Sequence, residues 1–297
     1  MSLLNVVNLQ TDWFSFVGEN SYLSASVRSL VNGMAENNLL YSRKNSGDTG
    51  GGDVKKLEIA HLDKAFDQQV LFKDANYTFQ QGKIYGLLGR NGSGKSTLFN
   101  MIVRNLPIDS GTIAVDSDDG QGLITNYSDT AVGMVYTQPH LPAFMTGVEF
   151  VDYFIAINRE RLERMHTTVK AADFFDMAGL GKADTNKLLR DYSEGMRNKL
   201  QIVVSLMLKP PVLLLDEPLT TVDVVAAHEM QQMIVAMKAD SVVVFSTHIM
   251  QLAQAICDAV VLLHQQQLTE LTGLDIHSQA FEDAVIARLS DEVQADA

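Results

Sequence analysis

The sequence predicts an α/β fold, a mainly parallel β-sheet covered on both faces by helices. Three observations carry this expectation. Short β-branched runs (VGMVYT, VLLLD, SVVVFS and DAVVLL) alternate with segments of helical length. A glycine-rich loop at residues 89–96 joins an apolar strand to a helix. A buried-strand run, Val212-Leu-Leu-Leu, ends in two carboxylates, Asp216 and Glu217.

From the N-terminus, about forty residues with few charges come first. Val27, Leu30, Val31 and Met34 follow helical spacing, and Trp13, Phe14 and Phe16 form a small aromatic cluster. Two readings stand for residues 1–41: an extension whose apolar residues pack on the main domain, or a docking segment for a partner. Low charge, with Arg28 the one basic residue there, argues against a membrane surface as that partner. Residues 42–53, SRKNSGDTGGGD, read as a flexible linker. Residues 54–297 form the main domain. LEIAHLDKAF and ANYTFQQG alternate well enough for strands, and a turn at Gly82 leads into the strand Lys83–Leu88. Helices are expected near Lys95–Leu106, Glu194–Leu208, Val224–Lys238 and Ile249–Cys257. No convincing strand occurs between Pro139 and Leu208, so the interval about 139–208 is expected to be a helical insertion.

Composition narrows the partners. The chain has 297 residues, 46% hydrophobic and 20% charged, enough for one large core or two modest ones. With 23 basic and 36 acidic residues the net charge is −13, which disfavours nucleic acid and anionic lipid. A single local pocket can still oppose that field and hold a compact anion. Cys257 is the only cysteine, which excludes an intramolecular disulfide or a CxxC pair and fits a reducing compartment. The first residues, MSLLNVVNLQTDWF, lack a basic region and make a poor signal peptide. The uncharged stretch Ala131 to Val148 contains Pro139, Pro142, Gln138 and His140, so it is not read as a membrane helix. No direct membrane insertion is expected.

Gly89-Arg90-Asn91-Gly92-Ser93-Gly94-Lys95-Ser96, followed by Thr97, fits GxxxxGK[ST] without a mismatch. Glycines let backbone N–H groups turn inward around phosphates, and the helix N-terminus adds a positive dipole end. Lys95 supplies a charge for the β- and γ-phosphates, and Ser96 a hydroxyl ligand for Mg²⁺. Adjacent strand residues point to opposite sides, so Asp216 and Glu217 are expected to divide their work. Asp216 would hold the Mg²⁺ sphere, and Glu217 would orient or deprotonate the attacking water. His248 follows the strand run SVVVFST, at the edge where a parallel sheet places ligand-binding groups, and could bond a γ-phosphate oxygen. Gln138 ends the run VGMVYT and could reach the metal or the water.

Taken together, these residues resemble the ATP-binding subunit of an ABC transporter, over about Lys55 to Glu270. Tyr192-Ser193-Glu194-Gly195-Met196 looks like that family's signature in a YSxGM form, with Glu194 standing in place of a glycine. Asp223 stands in the family's D-loop, where Thr221 and Val222 depart from the usual pattern. Phe66, 23 residues before Gly89, sits where the family places an aromatic that stacks on adenine; the competing reading is a buried strand phenylalanine.

The resemblance implies a P-loop NTPase fold with a RecA-like mainly parallel sheet core, an antiparallel β subdomain and an inserted helical subdomain. It implies ATP and Mg²⁺ as ligands and ATP hydrolysis as the activity. Ser193 and Gly195 would touch the γ-phosphate held by a second ATPase subunit, so the chain is expected to dimerise or pair with a similar one. A separate transmembrane permease would receive the work, with the chain at the cytoplasmic face of the membrane. Asp152, Tyr153 and Phe154 are candidate permease contacts, or members of an amphipathic helix facing its own core. MTGVEFVDYF, the signature and the tail FEDAVIARLSDE resemble bacterial drug, antibiotic-peptide and immunity exporters. The alternatives are a soluble ABC ATPase acting on ribosomes or DNA, and a hydrolysis-poor cassette paired with an active one.

Overall fold

The computed structural model describes residues 55–67, 69–116, 122–139, 141–165, 170–219 and 222–290. The extension and linker expected over residues 1–53, and Thr221, lie outside the described residues.

Two sheets stack on one another. The first pairs β1 (Lys56–Phe66), β2 (Gln69–Gln80), β4 (Ser110–Asp116) and β5 (Leu123–Ile124), antiparallel, in the order β2-β1-β4-β5. The second contains β3 (Ile84–Leu88), β6 (Val132–Val135), β7 (Val212–Asp216), β8 (Val242–Thr247), β9 (Ala259–His264) and β10 (Gln267–Glu270). Its order is β10-β9-β3-β8-β7-β6, parallel throughout except for the β9–β10 hairpin.

Every residue of β3, β7 and β8 is buried, as expected of parallel strands covered on both faces. Their alternation sorts two cores. Tyr85, Leu87, Val212, Leu214, Val242 and Val244 pack towards the antiparallel sheet and α1 (Lys95–Ile102), against Phe72, Phe79 and Phe99. Ile84, Leu88, Leu213, Leu215, Val243 and Phe245 pack towards the helical side. Burying side chains of this size contributes roughly 1.5–3 kcal/mol each before entropy is counted.

Between β6 and β7 the chain runs through α2 (Gly147–Ile157), α3 (Arg159–Arg164), α4 (Ala171–Met177), α5 (Lys182–Thr185) and α6 (Glu194–Met207). Thr146 caps α2 in a reciprocal capping box with Glu149. The fold is completed by α7 (Val224–Met237), α8 (Met250–Ile256) and α9 (Gln279–Ser290).

Some boundaries differ from the expected ones for local reasons. The helix expected over Lys95–Leu106 stops at Ile102, because Arg104 takes a left-handed conformation, φ 62°. Its guanidinium then bonds the carbonyls of Tyr127, at 2.8 Å, and Thr125. In β1 the pairing shifts between Ile59 and Leu62 around His61, φ 52°. Burial therefore falls on Leu57, Ile59, Leu62 and Lys64 rather than on strictly alternate residues.

Candidate functional site

The carboxyl edge of the parallel sheet gathers most of the polar residues singled out above. The loop after β3 carries residues 89–94, β7 ends on Asp216, β8 runs into His248, and β6 is followed by Tyr136, Thr137 and Gln138.

In the phosphate loop, Gly94 caps α1 with φ 106° and ψ 10°, a conformation open to glycine. A Cβ there would come within 3.2 Å of the Phe72 ring, so the loop rests directly on β2. Lys95 is only 7% exposed, and its ammonium donates to the carbonyls of Gly89, at 2.8 Å, and Arg90, at 3.2 Å. Burial lowers its pKa, opposed by the Glu217 and Asp216 carboxylates. The Ser93 hydroxyl is buried without a hydrogen-bond partner, and a Cβ on Gly89 would lie 2.6 Å from it. A cradle of bare backbone with one unanswered hydroxyl and one buried cation fits a bound phosphate chain. Arg90, Asn91, Gly92 and Ser96 are exposed, and Thr97 follows in the first turn of α1.

Asp216 is the hub. Its Oδ2 accepts from Ser96 Oγ at 2.8 Å, its Oδ1 from Ser246 Oγ at 2.5 Å, and its backbone carbonyl from Thr137 Oγ1 at 2.9 Å. A hydroxyl beside a carboxylate is the hard-oxygen donor set that suits Mg²⁺, an ion that takes few protein ligands when phosphates supply the rest. No group of three or more His, Cys, Asp or Glu residues placed to hold a metal occurs among the described residues. Thr137 ties the chain just before Gln138 to this hub, and Gln138 itself is exposed.

Glu217 corrects one expectation. Strand alternation does not separate the two carboxylates, because β7 ends at Asp216 and Glu217 turns off it with φ 47°. Its side chain lies 3.0 Å from His248 Nδ1, so the base candidate and the strand-end histidine are a bonded pair.

A second group forms where α6 begins. Ser193 is exposed and caps α6, accepting from the Met196 N–H at 3.2 Å. The position of a Cβ on Gly195 would lie 3.9 Å from Val222, so the signature and the segment ending in Asp223 are neighbours. Asp223 caps α7 through bonds from the N–H groups of Ala226 and Val225, which hold its carboxyl below the usual range.

Phe66 ends β1 and is 44% exposed, which rules out the buried-strand reading. The Lys64 ammonium sits 5.0 Å from its ring centroid and 2.7 Å from Asp109. The hairpin that carries Phe66 also supplies Leu71 and Phe72 beneath Gly94, so aromatic and phosphate loop share one support. If Phe66 stacks on adenine, as the resemblance implies, its replacement by alanine is expected to weaken ATP binding by ~1–3 kcal/mol, about 5- to 150-fold in Kd. Titration with a fluorescent ATP analogue checks this, and an unchanged Kd removes Phe66 from the site.

Lys64, Thr137 and Ser246 were not singled out from the sequence. For Thr137 and Ser246 the one signal is a polar residue inside or just after an otherwise apolar strand run, and Lys64 lies in a strand already mixed with Glu58, His61 and Asp63.

Fold and cradle together define a nucleotide-binding P-loop protein. The family model described as ABC transporter matches residues 72–220. The chain is 28% identical to the ABC transporter ATP-binding protein YtrB of Bacillus subtilis, over 74% of this chain and 72% of that one. It is 27% identical to the bacitracin transport ATP-binding protein BcrA of Enterococcus faecalis, over 75% and 71%. An ATP-binding subunit of an ABC transporter superposes with a TM-score of 0.64 at 24% identity, covering 79% of this chain and 99% of the other. A dimeric ATP-binding cassette in a post-hydrolysis state with ADP and Pi superposes at 0.59 and 21% identity, covering 73% and 100%. The chain belongs to the ABC transporter family, as an ATP-binding subunit. Among the described residues no helix is long and apolar enough to cross a membrane.

Proposed function

We propose that this chain hydrolyses ATP at the interface of two such cassettes and so drives a separate transmembrane permease. The observation that carries the reading is the bonded set at one sheet edge, Lys95 on the loop, Ser96–Asp216, and Glu217–His248.

In this reading the loop N–H groups and Lys95 bind the β- and γ-phosphates, and Phe66 stacks on adenine. Ser96, Asp216 and Gln138 hold Mg²⁺, which when bound neutralises charge on the phosphate oxygens. Glu217 accepts a proton from water as its oxygen attacks the γ-phosphorus, and ADP leaves with the bond electrons. His248, as an imidazolium, donates its Nδ1–H to Glu217 and keeps its Nε2–H for a γ-phosphate oxygen. Ser193, Gly195 and Asp223 serve the nucleotide held by the second subunit. That dimer is supported by the exposure of Ser193 and by the dimeric cassette that shares this fold.

The domain division proposed is 1–41 extension, 42–53 linker and 54–297 ATPase, with a helical arm at about 139–208. On that arm Tyr153 and Ile157, 57% and 61% exposed, share one face of α2 and are proposed permease contacts together with Asp152. Phe154 faces its own core, 5.8 Å from the Phe174 ring. Likeness to a bacitracin transport protein and to a linearmycin resistance protein of Bacillus subtilis favours export of a drug, peptide or lipid-like substrate. The chain would then work at the cytoplasmic face of the membrane.

The test is affinity purification of the tagged full chain from detergent-solubilised native membranes, with mass spectrometry of what accompanies it. A stoichiometric integral membrane protein is the expected result. Recovery only from the soluble fraction, with ribosomes or nucleic-acid enzymes, would overturn the transporter reading.

A further inference from the structure

Ser246 is fully buried and stands directly opposite Asp216 in the parallel register of β7 and β8. Its hydroxyl accepts from the Glu217 N–H at 3.1 Å and donates to Asp216 Oδ1 at 2.5 Å. An amide N–H can only donate, so the single hydroxyl proton is free for the carboxylate. The same N–H also reaches the Ser246 carbonyl at 3.2 Å. One buried side chain thus holds the carboxylate of Asp216 and the backbone of the residue that follows it.

That hold matters because Glu217 is a non-glycine residue at φ 47°, a conformation that persists only where the surroundings impose it. The Ser246 hydroxyl and carbonyl are the groups that grip its N–H. The oxygen of Asp216 left to Ser96 is Oδ2, because Oδ1 is taken by Ser246. Rotation of the Asp216 carboxylate would break both bonds at once.

We propose that Ser246 is a positioning residue of the hydrolytic site, locking the Asp216 carboxylate and the Glu217 turn into one unit. The inference rests on the reading of Asp216 as the metal-side carboxylate and Glu217 as the base. Ser246 acts through these two residues, keeping the metal-facing oxygen and the base carboxylate in register. A serine that merely satisfied itself in the core would leave turnover per folded molecule and metal affinity unchanged.

The experiment compares the full-length wild type with Ser246→Ala, Ser246→Thr and Ser246→Cys. Readouts are kcat, KM for ATP, Mn²⁺ binding by electron paramagnetic resonance with a non-hydrolysable ATP analogue present, and thermal unfolding. Ser246→Ala is expected to lower kcat by about tenfold or more, with KM within about twofold of wild type. Mn²⁺ binding should weaken by about threefold or more, because the carboxylate loses a charge-assisted bond that orients it. Ser246→Thr keeps the hydroxyl and should recover most of kcat. Ser246→Cys, a weaker donor, should fall between them, and it carries the test if the alanine variant does not fold.

Wild-type kcat and Mn²⁺ binding in Ser246→Ala or Ser246→Cys would overturn the proposal, provided Asp216→Asn and Glu217→Gln are inactive. If those two variants themselves turn over normally, the reading of the carboxylates fails and this inference falls with it.

Discussion

Glu217→Gln is expected to bind ATP with near-wild-type affinity and to hydrolyse it at least about 100-fold more slowly, the usual contribution of a positioned base. The substitution replaces one carboxylate oxygen by an amide nitrogen and keeps the side-chain shape. Its remaining oxygen can still accept from His248, now 3.0 Å from Glu217, so the histidine keeps an anchor. The backbone bonds from the residue 217 N–H to Ser246 do not involve the side chain. Geometry is therefore retained while the proton acceptor is lost. With hydrolysis blocked, ATP should remain between the subunits of the proposed dimer, and the closed form should accumulate. Size-exclusion chromatography with saturating MgATP reads that dimer, and single-turnover phosphate release reads the chemistry. A monomer under those conditions counts against the two-subunit site, whereas wild-type phosphate release removes Glu217 as the base. The two failures are separable.

What made this site legible was the coincidence of motif and context. Residues 89–96 form a phosphate loop because the apolar run before them is a fully buried parallel strand and the residues after them open a helix. The same logic exposed β7 and β8, whose unbroken apolar runs have no solvent face to interrupt them. Elements with a solvent face were harder. Strand β4 leaves no clear pattern in the sequence, because its first three residues, Ser110, Gly111 and Thr112, are exposed and only the next three are buried. The helix after the loop is shorter than its pattern predicts, because a left-handed arginine at 104 leaves no mark in composition, unlike the glycine that usually ends a helix there.

Backbone conformation hid the rest. Glu217 looked like a strand residue beside Asp216, and nothing in a run of leucines followed by two acids announces a turn at φ 47°. The residues that impose the turn lie far off in sequence. Ser246 comes 29 positions later, on a strand chosen as a neighbour only by the fold. Lys64 is a similar case: a bulge at His61 shifts the phase of β1 and turns a nominally outward lysine into a side chain only 6% exposed. Its burial is tolerated because Asp109 answers the charge at 2.7 Å and the Phe66 ring offers its face.

Lys95→Ala is expected to abolish nucleotide-dependent activity while leaving the fold intact. The ammonium is buried, and its bonds run to two carbonyls of its own loop, Gly89 and Arg90. Desolvation already lowers its pKa, so this cation is held in an unfavourable environment that a phosphate chain would relieve. Removing it leaves the phosphates without their point charge and frees the two carbonyls that shape the cradle. A charge-assisted contact contributes about 1.5–3 kcal/mol, and two phosphate oxygens lost together correspond to at least about 100-fold in ATP affinity. Folding stability should change by less than about 1 kcal/mol, because losing the bonds is offset by no longer burying a charge. Calorimetric titration with ATP and thermal unfolding, measured on the same sample, separate the two effects. Weak binding by a folded variant supports the role of Lys95. Normal turnover would remove the phosphate loop from the catalytic argument, and with it the buried cation as the feature that lets a chain of net charge −13 hold a polyphosphate.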